Sequence, residues 1–214
     1  MKKIDLMIFD LDGTLVSSGT DLVAAVNYTL NELGMPQRTE KEIIGFVGDG
    51  VRSLIERSLG DRQEKLADNA LKIFTDYYSE HLLDNTNLYP DVLDVLTNFA
   101  DKTKVILTNK RYKLTLRIAR ALNLENHFHE IIGADTLPYK KPDARLIDYL
   151  LSKYKANNDK TVMIGDGIND IYVAKNGGII SAAYLNGLGS KYDLLAAKAD
   201  YYCENLLELN SLFI

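Results

Sequence analysis

The chain has 214 residues, of which 46% are apolar, and its 30 acidic residues outnumber its 25 basic ones for a formal net charge of −5. This length can bury a core, as one large domain or as a core with an inserted module. No run approaches the roughly 18 apolar residues of a membrane span, and the short first apolar run contains Asp5, unlike a signal peptide. We therefore expect a cytoplasmic protein without a membrane partner, and the acidic balance argues against nucleic-acid binding.

The first apolar run ends at two carboxylates, Asp10 and Asp12, which are followed by Gly13 and Thr14. A run of this kind predicts a buried strand, and residues just beyond such a strand lie at the mouth of an α/β sheet. Asp and Gly are also ordinary turn residues, so a polar turn is the alternative. Two close acids favour either a bound cation or a shared proton, and both suit phosphate chemistry.

Helical patterns occupy the next part of the chain, and no strand is predicted between about residues 16 and 88. The predicted helices cover residues 20–34, residues 39–44 after a Thr39 cap, residues 51–59 and residues 62–83. This block is a candidate all-helical insertion.

From Pro90 onward, helices and strands alternate. The predicted strands are 104–107, 131–132, 161–164, 178–183 and 200–203, and the predicted helices are 91–100, 112–122, 143–154, 169–176 and 190–198. Such alternation implies right-handed crossovers and an α/β fold with a doubly wound, mainly parallel sheet of the Rossmann-like kind. The helical block interrupts this sheet after its first strand.

Polar clusters follow three of the predicted strands directly. They are residues 10–14, residues 108–110 and residues 165–170, and Lys140–Lys141–Pro142 precedes a later helix. The carboxyl ends of parallel strands share one edge, so we expect these clusters to converge there. Taken singly, Thr108–Asn109 could cap a helix and the two lysines could be solvated, whereas the acids of residues 165–170 would suit a hard cation.

In order and spacing these clusters resemble the four motifs of the haloacid dehalogenase-like superfamily. The helical insertion resembles the small cap of its phosphoglycolate phosphatase-like group. The resemblance implies a catalytic core of residues 1–15 and 89–214 and a helical cap of residues 16–88. It also implies a monomer or homodimer acting on a small phosphorylated metabolite.

The resemblance also implies site residues and a cofactor, Mg²⁺. Asp10 would be the nucleophile, Asp12 the general acid and base, Thr108 a phosphate-binding hydroxyl and Lys141 the cation. Further phosphate or substrate contacts would come from the cap loop, at Gly48 and Arg52, and from the backbone N–H groups around Leu11, Gly13 and Asn109. Four acids would bind the metal: Asp10, Asp12 through its backbone carbonyl, Asp166, and Asp170 either directly or through water.

The expected activity is hydrolysis of a phosphoglycolate-type phosphomonoester through an aspartyl-phosphate. Three alternatives stay open on the same fold: a sugar-phosphate mutase, an inorganic pyrophosphatase and a non-catalytic binding protein. The mutase would require a bisphosphate and yield an isomerised product. The complete set of acidic, hydroxyl and lysine residues argues against the non-catalytic protein.

Overall fold

The fold is built on a six-stranded parallel sheet. We describe it from a computed structural model that covers residues 1–60 and 64–214. Its strands are β1 (Leu6–Phe9), β4 (Thr103–Leu107), β5 (Glu130–Ile132), β6 (Thr161–Gly165), β7 (Ile180–Tyr184) and β8 (Tyr201–Cys203). They run in the order β5-β4-β1-β6-β7-β8, and every neighbouring pair is parallel. The predicted α/β fold with a mainly parallel sheet is confirmed.

The first strand is uniformly apolar because both of its faces are covered. Met7 and Phe9 join one buried cluster, and Leu6 and Ile8 join another on the opposite face. Alternate strand residues point to opposite faces, so a central strand buried on both sides has no polar positions. This strand lies between β4 and β6, which places Asp10 at the middle of the sheet's carboxyl edge.

Helices cover both faces of this sheet. Buried residues of α5 (Val92–Asn98) and α6 (Tyr112–Ala121) belong to the first cluster, and those of α7 (Arg145–Tyr154) belong to the second. The remaining helices of this part are α8 (Ile168–Asn176), α9 (Lys191–Ala197) and α10 (Leu209–Leu212). The short α10 was not predicted. Among the described residues, no helix combines the length and apolar character that a bilayer crossing needs.

Four helices lie between the first strand of the sheet and the second. They are α1 (Gly19–Glu32), α2 (Glu40–Ile44), α3 (Val51–Leu59) and α4 (Ala67–His81), with a 3₁₀ turn at Glu64–Leu66. Thr39 and Glu42 form the reciprocal capping box that starts α2. Residues 62 and 63 of the predicted helix 62–83 lie outside the described residues.

The expectation of a strand-free segment between residues 16 and 88 is wrong at both ends. Two-residue strands, β2 (Val16–Ser17) and β3 (Asn87–Leu88), pair antiparallel where the helical block enters and leaves. Strands this short have no period that a sequence pattern could reveal. The expected boundaries at residues 15/16 and 88/89 fall in or beside this ribbon, and the division into core and cap stays a prediction.

A buried carboxylate joins the entering and leaving segments. Asp21 of α1 accepts hydrogen bonds from the backbone N–H groups of Asn85 (3.0 Å) and Thr86 (2.9 Å) and from both of their side chains. Burying an ionised group is tolerated when its oxygens are satisfied in this way. Asp21 therefore holds the start of α1 against the segment that returns to the sheet.

We predict that Asp21→Ala lowers the free energy of unfolding by about 3 kcal/mol, because it leaves buried donors without an acceptor. Urea titration followed by circular dichroism measures this loss. Asp76→Ala is the matched control, since Asp76 is an exposed partner of Lys72 on α4 and should change stability far less. Equal effects of the two substitutions would contradict the role of Asp21.

Candidate active site

The turn after β1 places Asp10 and Gly13 at the sheet edge. The Asp10 N–H donates to the Ile164 carbonyl at 2.9 Å, and its Oδ1 accepts from the Leu11 N–H at 2.7 Å. Gly13 has a φ of +84°, and a Cβ there would lie 2.0 Å from Asp166 Oδ2. Only glycine permits both that backbone angle and this close approach.

Lys141 joins the first and last motifs. Its side chain is buried, and its Nζ lies 2.9 Å from Asp10 Oδ1 and 2.6 Å from Asp170 Oδ1. Burial lowers the pKa of Lys141, but the charges of the two carboxylates outweigh it and the net shift is upward. The ammonium is therefore fixed in its charged form beside the proposed nucleophile.

Two acids that follow β6 complete the cluster. Asp166 accepts from the Thr14 hydroxyl and the Leu188 N–H, both at 2.8 Å, and Asp170 accepts from the Gly167 N–H at 2.9 Å. Burial raises the pKa of Asp166 to about 7, and the neighbouring carboxylates add to this rise. Burial also raises the pKa of Asp170, against the opposing charge of Lys141. The negative charges of these carboxylates are therefore only partly compensated by the Lys141 ammonium.

The three carboxylates fit a hard divalent cation. One oxygen from each of Asp10, Asp166 and Asp170 lies within 4.8 Å of the others. Oxygen donors that converge in a buried site are what Mg²⁺ prefers. The Asp12 carboxylate points elsewhere, so Asp12 could contribute only the backbone carbonyl that the resemblance implies.

Asp12 is held by two neighbours that were not predicted as site residues. The Ser18 hydroxyl donates to its Oδ1 at 2.6 Å, and Lys110 Nζ lies 3.0 Å from both of its oxygens. Lys110 also donates to the Tyr78 hydroxyl of α4 at 2.7 Å. Lys110 stands in the cluster of residues 108–110, so the sequence held a signal for it, whereas nothing singled out Tyr78.

Charge compensation keeps Lys110 ionised in this buried place. Burial lowers its pKa, but the charge of Asp12 and the contact with Tyr78 outweigh burial, so the net shift is upward. Burial also raises the pKa of Tyr78 to about 12, which keeps its hydroxyl neutral. The neighbourhood of Asp12 thus contains a permanent cation and a neutral hydroxyl.

The second motif follows β4. Thr108 is buried beside Asp10 and Asp12 in the lining of the cleft described below, as a phosphate-binding hydroxyl requires. The Asn109 side chain instead bonds backbone: its Oδ1 accepts from the Lys141 N–H at 2.9 Å, and its Nδ2 donates to the Gly48 carbonyl at 2.8 Å. The Asn109 side chain therefore positions Lys141, and Asn109 could bind a phosphate only through its backbone N–H.

The predicted use of backbone N–H groups needs a correction. The Leu11 N–H is bound to Asp10, and the Gly13 N–H donates to the Val16 carbonyl at 2.9 Å. A tight turn satisfies its own donors before a ligand arrives. In the described part of the chain the N–H groups of Asp12 and Asn109 donate to no protein acceptor, and these two are the better candidates.

The loop before α3 lies against the sheet edge. Its Gly48 carbonyl accepts from Asn109, and Asp49 accepts from Asn169 Nδ2 at 2.7 Å and, through its carbonyl, from Lys140 Nζ at 2.9 Å. Gly48 therefore lies at the edge of the site, where its carbonyl contacts protein side chains, and its predicted role in substrate binding stays a prediction.

Arg52 does not reach the site. Its guanidinium pairs with Asp68 at 2.9 Å and with Glu56 at 3.6 Å, and the side chain is 57% exposed. Glu56 lies one turn further along α3 and Asp68 lies in the first turn of α4, and together they satisfy this surface arginine. The structure gives no support to the predicted substrate contact of Arg52.

A cleft opens between the sheet edge and the helical block. Its core side is formed by two motif segments, one containing Asp10 and Asp12 and the other containing Thr108 and Lys110. Its other side is formed by Gly48 and by apolar or aromatic residues of α1, α3 and α4. This arrangement gives a small ligand a charged wall and an apolar wall.

Comparison with known proteins agrees with this geometry. The profile of the haloacid dehalogenase-like hydrolase family matches residues 7–184. The chain belongs to this family. It is 35% identical to a phosphoglycolate phosphatase of Chromobacterium violaceum, over 99% of this chain and 97% of that protein. It is 31% identical to one of Vibrio cholerae, over 96% and 95%.

Solved structures of the family resemble the whole chain. A predicted phosphoglycolate phosphatase of Haemophilus somnus superposes with a TM-score of 0.93 at 26% identity, covering 99% of both chains. A haloacid dehalogenase-like hydrolase of Streptococcus pneumoniae gives 0.89 at 28% identity, covering 98% of both. The predicted family and enzyme class, a haloacid dehalogenase-like phosphatase, are confirmed.

We predict that Mg²⁺ stabilises the protein more at about pH 8 than at about pH 6. With a pKa raised to about 7, Asp166 is mostly protonated at the lower pH, and the ion must displace that proton. Because the folded-state pKa is raised from 3.8 to about 7, the ion-free protein itself loses stability as the pH rises from about 3.8 to about 7.

Thermal melting with and without Mg²⁺ at the two pH values measures the effect. The ion-induced rise in Tm should be larger at the higher pH, and Asp166→Asn should remove most of it. An equal rise at both pH values in the unmodified protein would contradict the prediction.

Proposed function

We propose that this chain is a Mg²⁺-dependent phosphatase that hydrolyses a small phosphorylated metabolite through an aspartyl-phosphate on Asp10. The observation that carries this proposal is the position of Asp10, one of whose oxygens faces Lys141 while Asp166 and Asp170 lie close by. A nucleophile beside a fixed cation, at the mouth of a cleft, suits attack on an anionic phosphate ester.

In the first step, an Asp10 oxygen attacks phosphorus in line. The bond between phosphorus and the ester oxygen breaks, and the leaving alkoxide takes a proton from Asp12. In the second step, a water attacks the aspartyl-phosphate and gives its proton to Asp12. The bond between phosphorus and Asp10 breaks, which releases inorganic phosphate and restores the free carboxylate.

Four groups would bind the transferring oxygens while these bonds change. They are the Thr108 hydroxyl, the Lys141 ammonium and the N–H groups of Asp12 and Asn109. A bound Mg²⁺, held by Asp10, Asp166, Asp170 and the Asp12 carbonyl, would supply charge neutralisation at the phosphoryl group. The residues therefore divide into a nucleophile, a proton carrier and charge-stabilising groups.

Phosphoglycolate is the first substrate to test, since the relatives named above are phosphoglycolate phosphatases. The cleft between the sheet edge and the helical block would hold the leaving group, and we propose that residues 16–88 act as the cap over it. The cytoplasmic location and the monomeric or homodimeric state stay predictions.

We expect Asp10→Asn to reduce Mg²⁺-dependent phosphate release from phosphoglycolate by at least about 10⁴-fold, because the amide cannot form the acyl phosphate. A phosphate-release assay over small phosphorylated metabolites, with and without Mg²⁺, measures this loss. The control is Asp148→Asn, an exposed position on α7 far from the proposed chemistry.

The same assay separates the alternatives. Undiminished release by Asp10→Asn would overturn the assignment of the nucleophile. Release from pyrophosphate alone would indicate a pyrophosphatase. An isomerised product that forms only with a bisphosphate present would indicate a mutase.

We also predict that Asn169→Ala loosens the loop of residues 45–50. The substitution removes the contacts of Asn169 Nδ2 with the Gly48 carbonyl (3.2 Å) and Asp49 Oδ1 (2.7 Å). Losing about 1 kcal/mol should speed amide exchange in this loop about fivefold. Hydrogen exchange read by mass spectrometry measures it.

Asn176→Ala on the same helix is the control. Asn176 Nδ2 also donates to a carbonyl, that of Pro142 at 2.9 Å, but it touches no residue of the loop. If both variants exchange at the unmodified rate in residues 45–50, Asn169 does not hold the loop.

A further inference from the structure

The proposed chemistry leaves one buried cation of the cleft without a task. Lys110 is only 6% exposed at its side chain, and its Nζ lies 3.0 Å from both oxygens of Asp12. It also lies 4.7 Å from the centroid of the Tyr78 ring and donates to that hydroxyl at 2.7 Å. Lys141, by contrast, already faces the proposed nucleophile.

The apolar wall of the cleft offers no positive charge to a ligand. Among the described residues that line the cleft, the cations are Lys110 and Arg111, and both come from the sheet side. Arg111 is exposed, and Arg52 is paired outside the cleft. An anionic group on the leaving side of a phosphate ester would therefore meet Lys110 as the buried cation within reach.

The Tyr78 hydroxyl has a proton to give to such a group. It accepts the hydrogen bond from Lys110, and in the described part of the chain it donates to no acceptor. A buried hydroxyl usually finds a partner for its proton. Together, an ammonium and a hydroxyl 2.7 Å apart provide two donors, which match the two oxygens of a carboxylate.

The present partner of Lys110 is the group that must move the proton. Both Asp12 oxygens accept hydrogen bonds from Lys110, and Oδ1 accepts another from Ser18. A carboxylate that only accepts has no free position from which to give a proton to a leaving oxygen. The Lys110 ammonium must move away from Asp12 before Asp12 can protonate the leaving oxygen. A second anion would then pair with this ammonium.

We propose that Lys110, with the Tyr78 hydroxyl, binds a carboxylate on the leaving group of the substrate and thereby determines specificity. Binding this carboxylate draws the ammonium from Asp12 and frees Asp12 to serve the ester oxygen. Because Lys110 touches Asp12 directly, the carboxylate must lie only one or two carbons from that oxygen. This inference rests on the proposed phosphatase activity and adds the two residues, Lys110 and Tyr78, that would select a phosphorylated hydroxy acid over a neutral ester.

The test compares two esters with the same two-carbon skeleton, 2-phosphoglycolate and 2-hydroxyethyl phosphate, the second having a neutral alcohol in place of the carboxylate. The unmodified enzyme should prefer phosphoglycolate. Lys110→Met keeps an unbranched side chain one atom shorter and removes its charge, and it should lower kcat/KM for phosphoglycolate on the order of 100-fold. The loss for the neutral ester should be at least about tenfold smaller.

Tyr78→Phe should lower kcat/KM for phosphoglycolate about tenfold, mostly through KM, since it removes one donor to the bound group. It also supplies the comparison if Lys110→Met does not fold. Lys113→Met, an exposed lysine on α6, is the matched control and should leave both esters unaffected. Glycolate should inhibit the unmodified enzyme competitively and inhibit the Lys110 variant much less.

Equal losses for both esters in Lys110→Met would overturn the inference, because Lys110 would then act only by holding Asp12. An unmodified enzyme that hydrolyses both esters equally well would also overturn it while leaving the proposed phosphatase intact. An unmodified enzyme that releases phosphate from no ester would overturn both proposals.

Discussion

The candidate active site is organised around three carboxylates that meet at one edge of the sheet and repel one another. Asp10, Asp166 and Asp170 bring oxygens within 4.8 Å of one another, and the Lys141 ammonium contacts two of them. When all four groups are ionised they carry a net charge of −2, which is the charge that one divalent cation neutralises. Burial raises the pKa of Asp166 to about 7, and the charges of Asp10 and Asp170 add to this rise. Buried carboxylates with uncompensated charge suit a hard divalent cation, as proposed above.

The sheet edge also holds the helical block in place. Asn109 and Asn169 donate from the core to the Gly48 carbonyl, and Lys110 reaches Tyr78 on α4. Asn109 and Lys110 lie in the polar turn that follows β4, and Asn169 lies in the first turn of α8, directly after β6. The segments that contain the proposed reacting residues therefore also make the contacts with the helical side of the cleft. A movement of that side would displace Lys110 and, through it, Asp12.

Much of this organisation was predictable. A buried parallel sheet has apolar strands and crossover helices, and both leave strong local patterns in the sequence. The convergence of the clusters followed from topology, because strands that run in one direction end at one edge. The ribbon of Val16–Ser17 with Asn87–Leu88 was missed because its pairing joins residues far apart in the chain, and α10 was missed because four residues show almost no period. Arg52 was placed in the site by a resemblance of its loop; its i,i+4 partner Glu56 is legible in the predicted helix, whereas Asp68 becomes a partner only through the packing of α3 against α4.

The sequence by itself determined which acids follow which strand and that Lys141 lies just before a helix of the same domain. Local propensity and strand direction suffice for this, since each of these residues adjoins or closely precedes an element that the pattern reveals. Only the tertiary structure decided what each side chain touches. In the folded chain Lys110 contacts Asp12 and Tyr78, the Asn109 side chain bonds backbone groups, and Arg52 lies at the surface. The side-chain contacts of Lys110 and Asn109 join residues that lie 32 to 98 positions apart in the chain, and no local sequence pattern encodes contacts of that range.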